Sequence, residues 1–124
     1  MRVLLDTQLV LWAMAEPHKL PPAARREIDE AQVFVSAASL WEIAIKASLG
    51  KLTIEPEVIR SAIVPSGFDE LAVTGAHAVR VKALPWHHRD PFDRLLVAQA
   101  LVEPLILLTA DGMLAAYGDG VRVV

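Results

Sequence analysis

Met1-Arg2-Val3-Leu4-Leu5-Asp6-Thr7-Gln8-Leu9-Val10-Leu11-Trp12-Ala13-Met14-Ala15 opens the chain and sets its architecture. Residues 2–5 read as a short apolar strand that ends at Asp6-Thr7, and residues 8–15 continue as a helix. An apolar strand without polar alternation is one buried on both faces, the signature of a parallel strand covered by helices. The same unit returns at Val33-Phe34-Val35, where Ser36 caps a helix reaching about Leu49 and Gly50 stops it. Between the two units Pro21-Pro22 open a helix whose polar face runs from Arg25 to Glu30. Further on, residues 56–63 predict a short helix before the Pro65-Ser66-Gly67 turn, and residues 70–73 a third strand. Thr74 caps a helix to about Ala83, Asp90 caps another over 91–102, and residues 105–108 form a fourth strand. Asp111 begins a short helix, and residues 121–124 make a fifth strand. Five short strands alternating with helices predict an α/β sandwich around a mostly parallel sheet, with a site beyond the carboxyl ends of the strands.

The totals bound what such a domain can do. At 124 residues one core should serve the whole chain, 1–124 as a single domain. The absence of cysteine excludes a disulfide scaffold, a thiolate zinc site and a cysteine nucleophile. The chain is 54% hydrophobic, yet no apolar run approaches the ~20 residues of a membrane span. Asp6 interrupts the N-terminal apolar stretch too soon for a signal peptide, so a soluble, cytoplasmic protein is expected. The formal charge of −3 does not suit a general nucleic-acid binder. Some of the 15 Asp and Glu, however, can serve as ligands for a cation that brings its own positive charge.

Each acid near a strand end has an ordinary explanation. Asp6 and Asp111 can cap the helices that follow them. In Asp90-Pro91-Phe92-Asp93, Asp90 reads as the N-cap, Pro91 as the first helical residue, and Asp93 as an acid facing the helix dipole. Glu42 resists such an account. Its helix is apolar nearly all round, from Ala37 through Leu40, Trp41, Ile43 and Ile45 to Leu49, and should be largely buried. Ser39, Glu42 and Lys46 alone break the pattern, three and four apart on one stripe. Either Glu42 pairs with Lys46 in solvent, or it is a buried carboxylate that needs a cation. Four carboxylates converging at one end of a sheet are hard to explain as caps alone. Oxygen donors without a Cys or His cluster favour Mg²⁺ or Mn²⁺ over zinc, and the matching chemistry is metal-assisted phosphodiester hydrolysis.

Taken in order, these residues resemble a known family. Leu4-Leu5-Asp6-Thr7 with Leu11-Trp12, then Ser39-Leu40-Trp41-Glu42-Ile43-Ala44-Ile45-Lys46 and Gly50-Lys51-Leu52, resemble the first two motifs of PIN-domain nucleases. His88-Arg89-Asp90-Pro91-Phe92-Asp93-Arg94-Leu95-Leu96 and Leu108-Thr109-Ala110-Asp111 resemble the third and fourth. The ordered set spans essentially the whole chain and is similar to the VapC-like toxins of bacterial toxin–antitoxin pairs. The resemblance implies a PIN-like three-layer sandwich on a five-stranded parallel sheet. It further implies Mg²⁺- or Mn²⁺-dependent endoribonuclease activity leaving 5′-phosphate and 3′-hydroxyl ends, an RNA substrate, homodimerisation, and a small antitoxin encoded nearby. Carried over by position, Asp6, Glu42, Asp93 and Asp111 form the catalytic and metal-binding quartet, with Asp90 in support. Thr7 and Thr109 are expected to hydrogen-bond the ligands or a metal-bound water. Lys46, Arg89 and Arg94 are candidates for phosphate contact, or else ion-pair partners of Glu42 and Asp90.

His87 and His88 lack ligand spacing and, as neighbours on an extended chain, should point apart, towards RNA or towards nothing in particular. Trp12 and Trp41, within apolar runs, are expected in the core or a dimer contact. Three rivals share the strand-end Asp6. A haloacid-dehalogenase-like phosphatase would need a second acid where Gln8 stands, a receiver domain would need paired acids after the first strand, and a binding module would use the carboxylates only to hold arginines.

Overall fold

A computed structural model describes all of residues 1–124. Strands β1 (Arg2–Leu5), β2 (Gln32–Ser36), β3 (Asp69–Leu71), β4 (Ile106–Thr109) and β5 (Val121–Val123) form one sheet in the order β3-β2-β1-β4-β5. Every pairing is parallel, so the "mostly parallel" sheet expected from the sequence is wholly so. β1 is central. The chain winds outward through β2 and β3, then returns to the other side of β1 with β4. The strand order therefore reverses between β1 and β4, where a crevice opens beyond the strand ends.

Helices cover both faces: α1 (Thr7–Ala15), α2 (Pro22–Glu30), α3 (Ala37–Ser48), α4 (Pro56–Ile63), α5 (Gly75–Arg80) and α6 (Pro91–Val102). The two-residue period of the strands splits the core between them. Val3 and Leu5 of β1, Val33 and Val35 of β2 and Leu108 of β4 pack on Leu9, Val10, Ile28, Ile43, Ile59 and Ile63. Leu4 and Leu107 point the other way, onto Leu96, Val97, Ala100 and Leu114. Two apolar layers thus flank one sheet, giving three layers in all.

Element boundaries differ from the sequence reading in small, physically sensible ways. β3 starts one residue early and stops at Leu71, because its only partner, β2, ends at Ser36 opposite it. The helix expected to run to Ala83 ends at Arg80 and tightens into a 3₁₀ turn, Val81–Ala83, ahead of Pro85. A further 3₁₀ turn, Pro17–Lys19, carries no sequence periodicity and was not expected. Gly50 takes the left-handed conformation (φ 72°) that closes α3, a position where a Cβ is strained.

The larger departure concerns α3. Its solvent face is apolar: Trp41 is 61% and Leu49 63% exposed, while Ser39 and Glu42 are buried. Trp12 is half-buried against the core, but Trp41 is a surface residue, set edge-on to Phe92 at 5.2 Å. The helix is not wrapped in protein on all sides. Of its polar stripe, Ser39 and Glu42 are turned inward and Lys46 stays half-exposed.

Candidate functional site

Asp6 follows β1 directly, its backbone N–H still bonded to the Leu108 carbonyl of β4 (3.0 Å). Its side chain caps α1, Oδ1 accepting from the Leu9 N–H at 2.8 Å. Its other oxygen accepts from the Thr109 hydroxyl (2.5 Å) and the Ala110 N–H (3.1 Å) across the switch point. Asp6 is therefore a cap and a cleft residue at once. Both of its oxygens are held by donors of the chain, which fixes the carboxylate in one orientation at the cleft. Burial pushes its carboxyl above the ordinary range, these hydrogen bonds pull it back, and Asp111 raises it again.

Asp111 and Asp90 repeat the pattern. Asp111 Oδ1 caps the 3₁₀ turn Gly112–Tyr117 through the Met113 N–H (2.9 Å). Asp90 Oδ1 caps α6 through the N–H groups of Phe92 (2.8 Å) and Asp93 (3.4 Å). Asp93 itself caps nothing. It projects from the first turn of α6 into the cleft, and its carboxyl is pushed up to about 7 by burial, then by Asp90 and Asp6, with His88 opposing and Glu42 adding.

Glu42, on α3, is 6% exposed. Its Oε2 pairs with Lys46 Nζ at 2.8 Å, and this hydrogen bond raises the lysine's proton affinity. Its Oε1 is buried with no hydrogen-bond partner at all. Both readings of the stripe thus hold in part: the Lys46 pair exists, but it satisfies only one oxygen of a buried carboxylate.

These side chains line a cleft of about 280 Å³ together with Thr7, Gln8, Leu11, Lys46 and Ala110. Five of its ten lining residues are acids, Asp6, Glu42, Asp90, Asp93 and Asp111, against one lysine. An orphaned buried carboxylate oxygen and a carboxyl pushed up to about 7 by burial and neighbouring acids both mark charge that a cation would stabilise. The all-oxygen donor set fits a hard divalent ion. A second, shallower hollow of about 440 Å³ adjoins it through Glu42, Lys46 and Asp90 and extends past Arg89 and Phe92.

The remaining expected residues divide. Thr109 donates to Asp6 and accepts from the Asp111 N–H (3.0 Å), linking two acids. Thr7, expected to act likewise, instead donates to Ser39 at 3.0 Å. Lys46 and Arg89 border the shallower hollow together with Glu42 and Asp90. Arg94 does not. It is 2% exposed and turned away from the cleft, donating to the carbonyls of Val81, Leu84 and Pro85 and to the Tyr117 hydroxyl, with Trp86 stacked 3.8 Å from its guanidinium. A guanidinium saturated by carbonyls is a brace for the 81–89 connection, so its expected phosphate contact is withdrawn. His88, passed over in the sequence, reaches the cleft, its Nε2 lying 2.9 Å from Asp111 Oδ2 and 3.6 Å from Asp93 Oδ2. His87 turns away to stack on Tyr117. Nothing in the spacing of the two histidines distinguishes them; only the fold of the connection does.

Comparison with known proteins gives the family and the fold. The PIN domain family profile matches residues 3–120. Ribonuclease VapC22 of Mycobacterium tuberculosis is 35% identical over 125 aligned positions, covering 93% of this chain and 91% of the relative. Among solved structures, VapBC2 from Rickettsia felis, bound to a DNA fragment from its promoter, superposes with a TM-score of 0.70 at 15% identity, covering 100% and 98% of the two chains. A toxin–antitoxin complex from Klebsiella pneumoniae gives 0.66 at 18% identity, covering 98% and 96%. DNA-bound VapBC from Salmonella typhimurium gives 0.65 at 17% identity, covering 100% and 97%. At these identities the structural matches speak for the fold.

Proposed function

This chain belongs to the PIN-domain family, and from that premise we propose that it is a divalent-metal-dependent endoribonuclease, the toxin of a type II toxin–antitoxin pair. The observation that carries the reading is the unpartnered, buried Oε1 of Glu42, a residue that lines one cleft with Asp6, Asp93 and Asp111. These four carboxylates are the proposed holders of Mg²⁺ or Mn²⁺, with Asp90 in support. A divalent ion held there supplies Lewis-acid charge and a water activated for attack on phosphorus.

The chain's own groups do the rest. Thr109, Leu9 and Ala110 hold the Asp6 carboxylate in one orientation, so it needs no rearrangement to receive a cation. Lys46 offsets charge on Glu42 and, half-exposed, faces the hollow where an RNA phosphate would lie beside Arg89. Hydrolysis joins the water oxygen to phosphorus and breaks the bond to the 3′ oxygen, leaving the 5′-phosphate and 3′-hydroxyl ends that the family resemblance implies.

The toxin–antitoxin complexes among the similar structures favour an antitoxin as partner, and a homodimer is the working form that the family resemblance implies. An apolar hollow lined by exposed Trp41 and half-buried Phe92 and Leu95 adjoins the shallower hollow at Pro91 and Phe92 and offers contact area for protein association. No helix is long and apolar enough to cross a membrane, and we place the activity in the cytoplasm, with its RNA.

Incubating the protein with mixed single-stranded RNA in Mg²⁺, in Mn²⁺ and in EDTA tests the reading. Cleavage should require the metal and disappear in Glu42→Gln. Cleavage that persists in EDTA, or that Glu42→Gln leaves intact, refutes it.

A further inference from the structure

The rim of the cleft holds one group that the scheme above leaves idle. His88 is held at its backbone N–H and at both ring nitrogens. Its backbone N–H donates to the Tyr117 hydroxyl (3.2 Å), its Nδ1 accepts from the Asp90 N–H (3.0 Å), and its Nε2 meets Asp111 Oδ2 (2.9 Å). Tyr117 in turn donates to the Pro85 carbonyl and accepts from Arg94, which ties the His88 backbone to both its own loop and α6.

Proximity alone would make His88 a ligand, since its nitrogen and the carboxylates of Asp93 and Asp111 lie within 4.8 Å of one another. The direction of the hydrogen bonds says otherwise. A backbone N–H can only donate, so Nδ1 must present its lone pair to Asp90, and the neutral ring's hydrogen then resides on Nε2. A nitrogen carrying hydrogen has no lone pair for a cation, but it is a donor for Asp111.

We infer that His88 is a positioning residue for Asp111 and not a metal ligand. Its Nε2–H holds Asp111 Oδ2 while the Met113 N–H holds Oδ1, so the carboxylate is fixed at both oxygens before any cation arrives. Each oxygen keeps a further lone pair for that cation. Groups of this kind govern metal affinity by orienting ligands they do not replace. The inference rests on the metal-dependent reading of the cleft.

Mn²⁺ binding to the full chain, followed by calorimetry and electron paramagnetic resonance, is the test, with long-range proton–nitrogen NMR of the metal-free protein reporting the ring tautomer. The expected tautomer is Nε2–H, and bound Mn²⁺ should show no coupling to a histidine nitrogen. His88→Ala should weaken Mn²⁺ binding by about tenfold, as loss of a ligand-orienting partner does. His88→Gln should recover most of that loss, because its amide still donates near the same place but offers no nitrogen lone pair. An Nδ1–H tautomer, a Mn²⁺–nitrogen coupling that His88→Ala abolishes, equal losses in both variants, or no loss in either would each overturn the inference. Wild-type protein that binds no Mn²⁺ overturns the metal reading beneath it, and the tautomer still decides the hydrogen bond.

Discussion

Replacing Asp93 with Asn removes the one cleft aspartate that caps nothing, and its effect on folding can be worked out in sign and size. Burial and the fields of Asp90 and Asp6 lift this carboxyl from 3.8 to about 7 in the folded protein. Between those values the folded state keeps a proton that the unfolded chain has released. Wild-type stability must therefore fall as pH rises through the window, and the deficit is complete above about pH 7. Each power of ten in proton affinity is worth about 1.4 kcal/mol, which sets a ceiling of about 4 kcal/mol. The side chain retains 18% exposure, so water screens the interaction and about 1–2 kcal/mol is the expected share. Asn has nearly the same shape and no charge. In EDTA, Asp93→Asn should match wild type near pH 4 and exceed it by that amount near pH 8, measured by urea unfolding. Saturating Mn²⁺ should reverse the order, because binding to the native state stabilises the protein that keeps the ligand. A variant no more stable than wild type near pH 8, or equally advantaged near pH 4, refutes the argument.

Three other changes separate the roles assigned above. Thr109→Val keeps the shape but removes the donor to Asp6 and the acceptor for the Asp111 N–H. It should weaken Mn²⁺ binding by about 10–100-fold in calorimetry, with RNA cleavage falling in step. Lys46→Met removes a half-exposed cation beside the RNA path, and the salt dependence of RNA binding should lose roughly one ionic contact, a change in log–log slope of about 0.7. Arg94→Met should leave that slope unchanged but destabilise the fold by about 2–4 kcal/mol in urea, since it strands buried carbonyls around the 81–89 connection.

Pairing Lys46 with Arg94 shows how far a linear reading reaches. Both are basic residues near acids in the sequence, and both were expected at a phosphate. Lys46 lies four residues from its partner on one helix stripe, a spacing that helical geometry imposes whatever surrounds it. The fate of Arg94 depends on carbonyls up to 13 residues away and on Tyr117, 23 residues on, which no local pattern encodes. The choice between His87 and His88 has the same character.

The strand–helix alternation, the stops at Gly50 and the proline-led helices, and the caps Asp6, Asp90 and Asp111 were all legible from the chain alone. Periodicity and capping are set by residues a few positions apart, so sequence determines them. Tertiary structure decided that capping and cleft duty coexist in Asp6 and Asp111, because a carboxylate has two oxygens and only the second meets a distant strand or loop. It also decided why Glu42 is buried. The apolar pattern of α3 suggested a helix enclosed all round, but Trp41 and Leu49 face solvent, while Ser39 packs against Thr7 and Glu42 lines the cleft. A helix shows which residues share a face. Which face turns inward depends on what β1, α1 and α6 bring to the other side, as when Thr109 reaches Asp6 across 103 positions of chain.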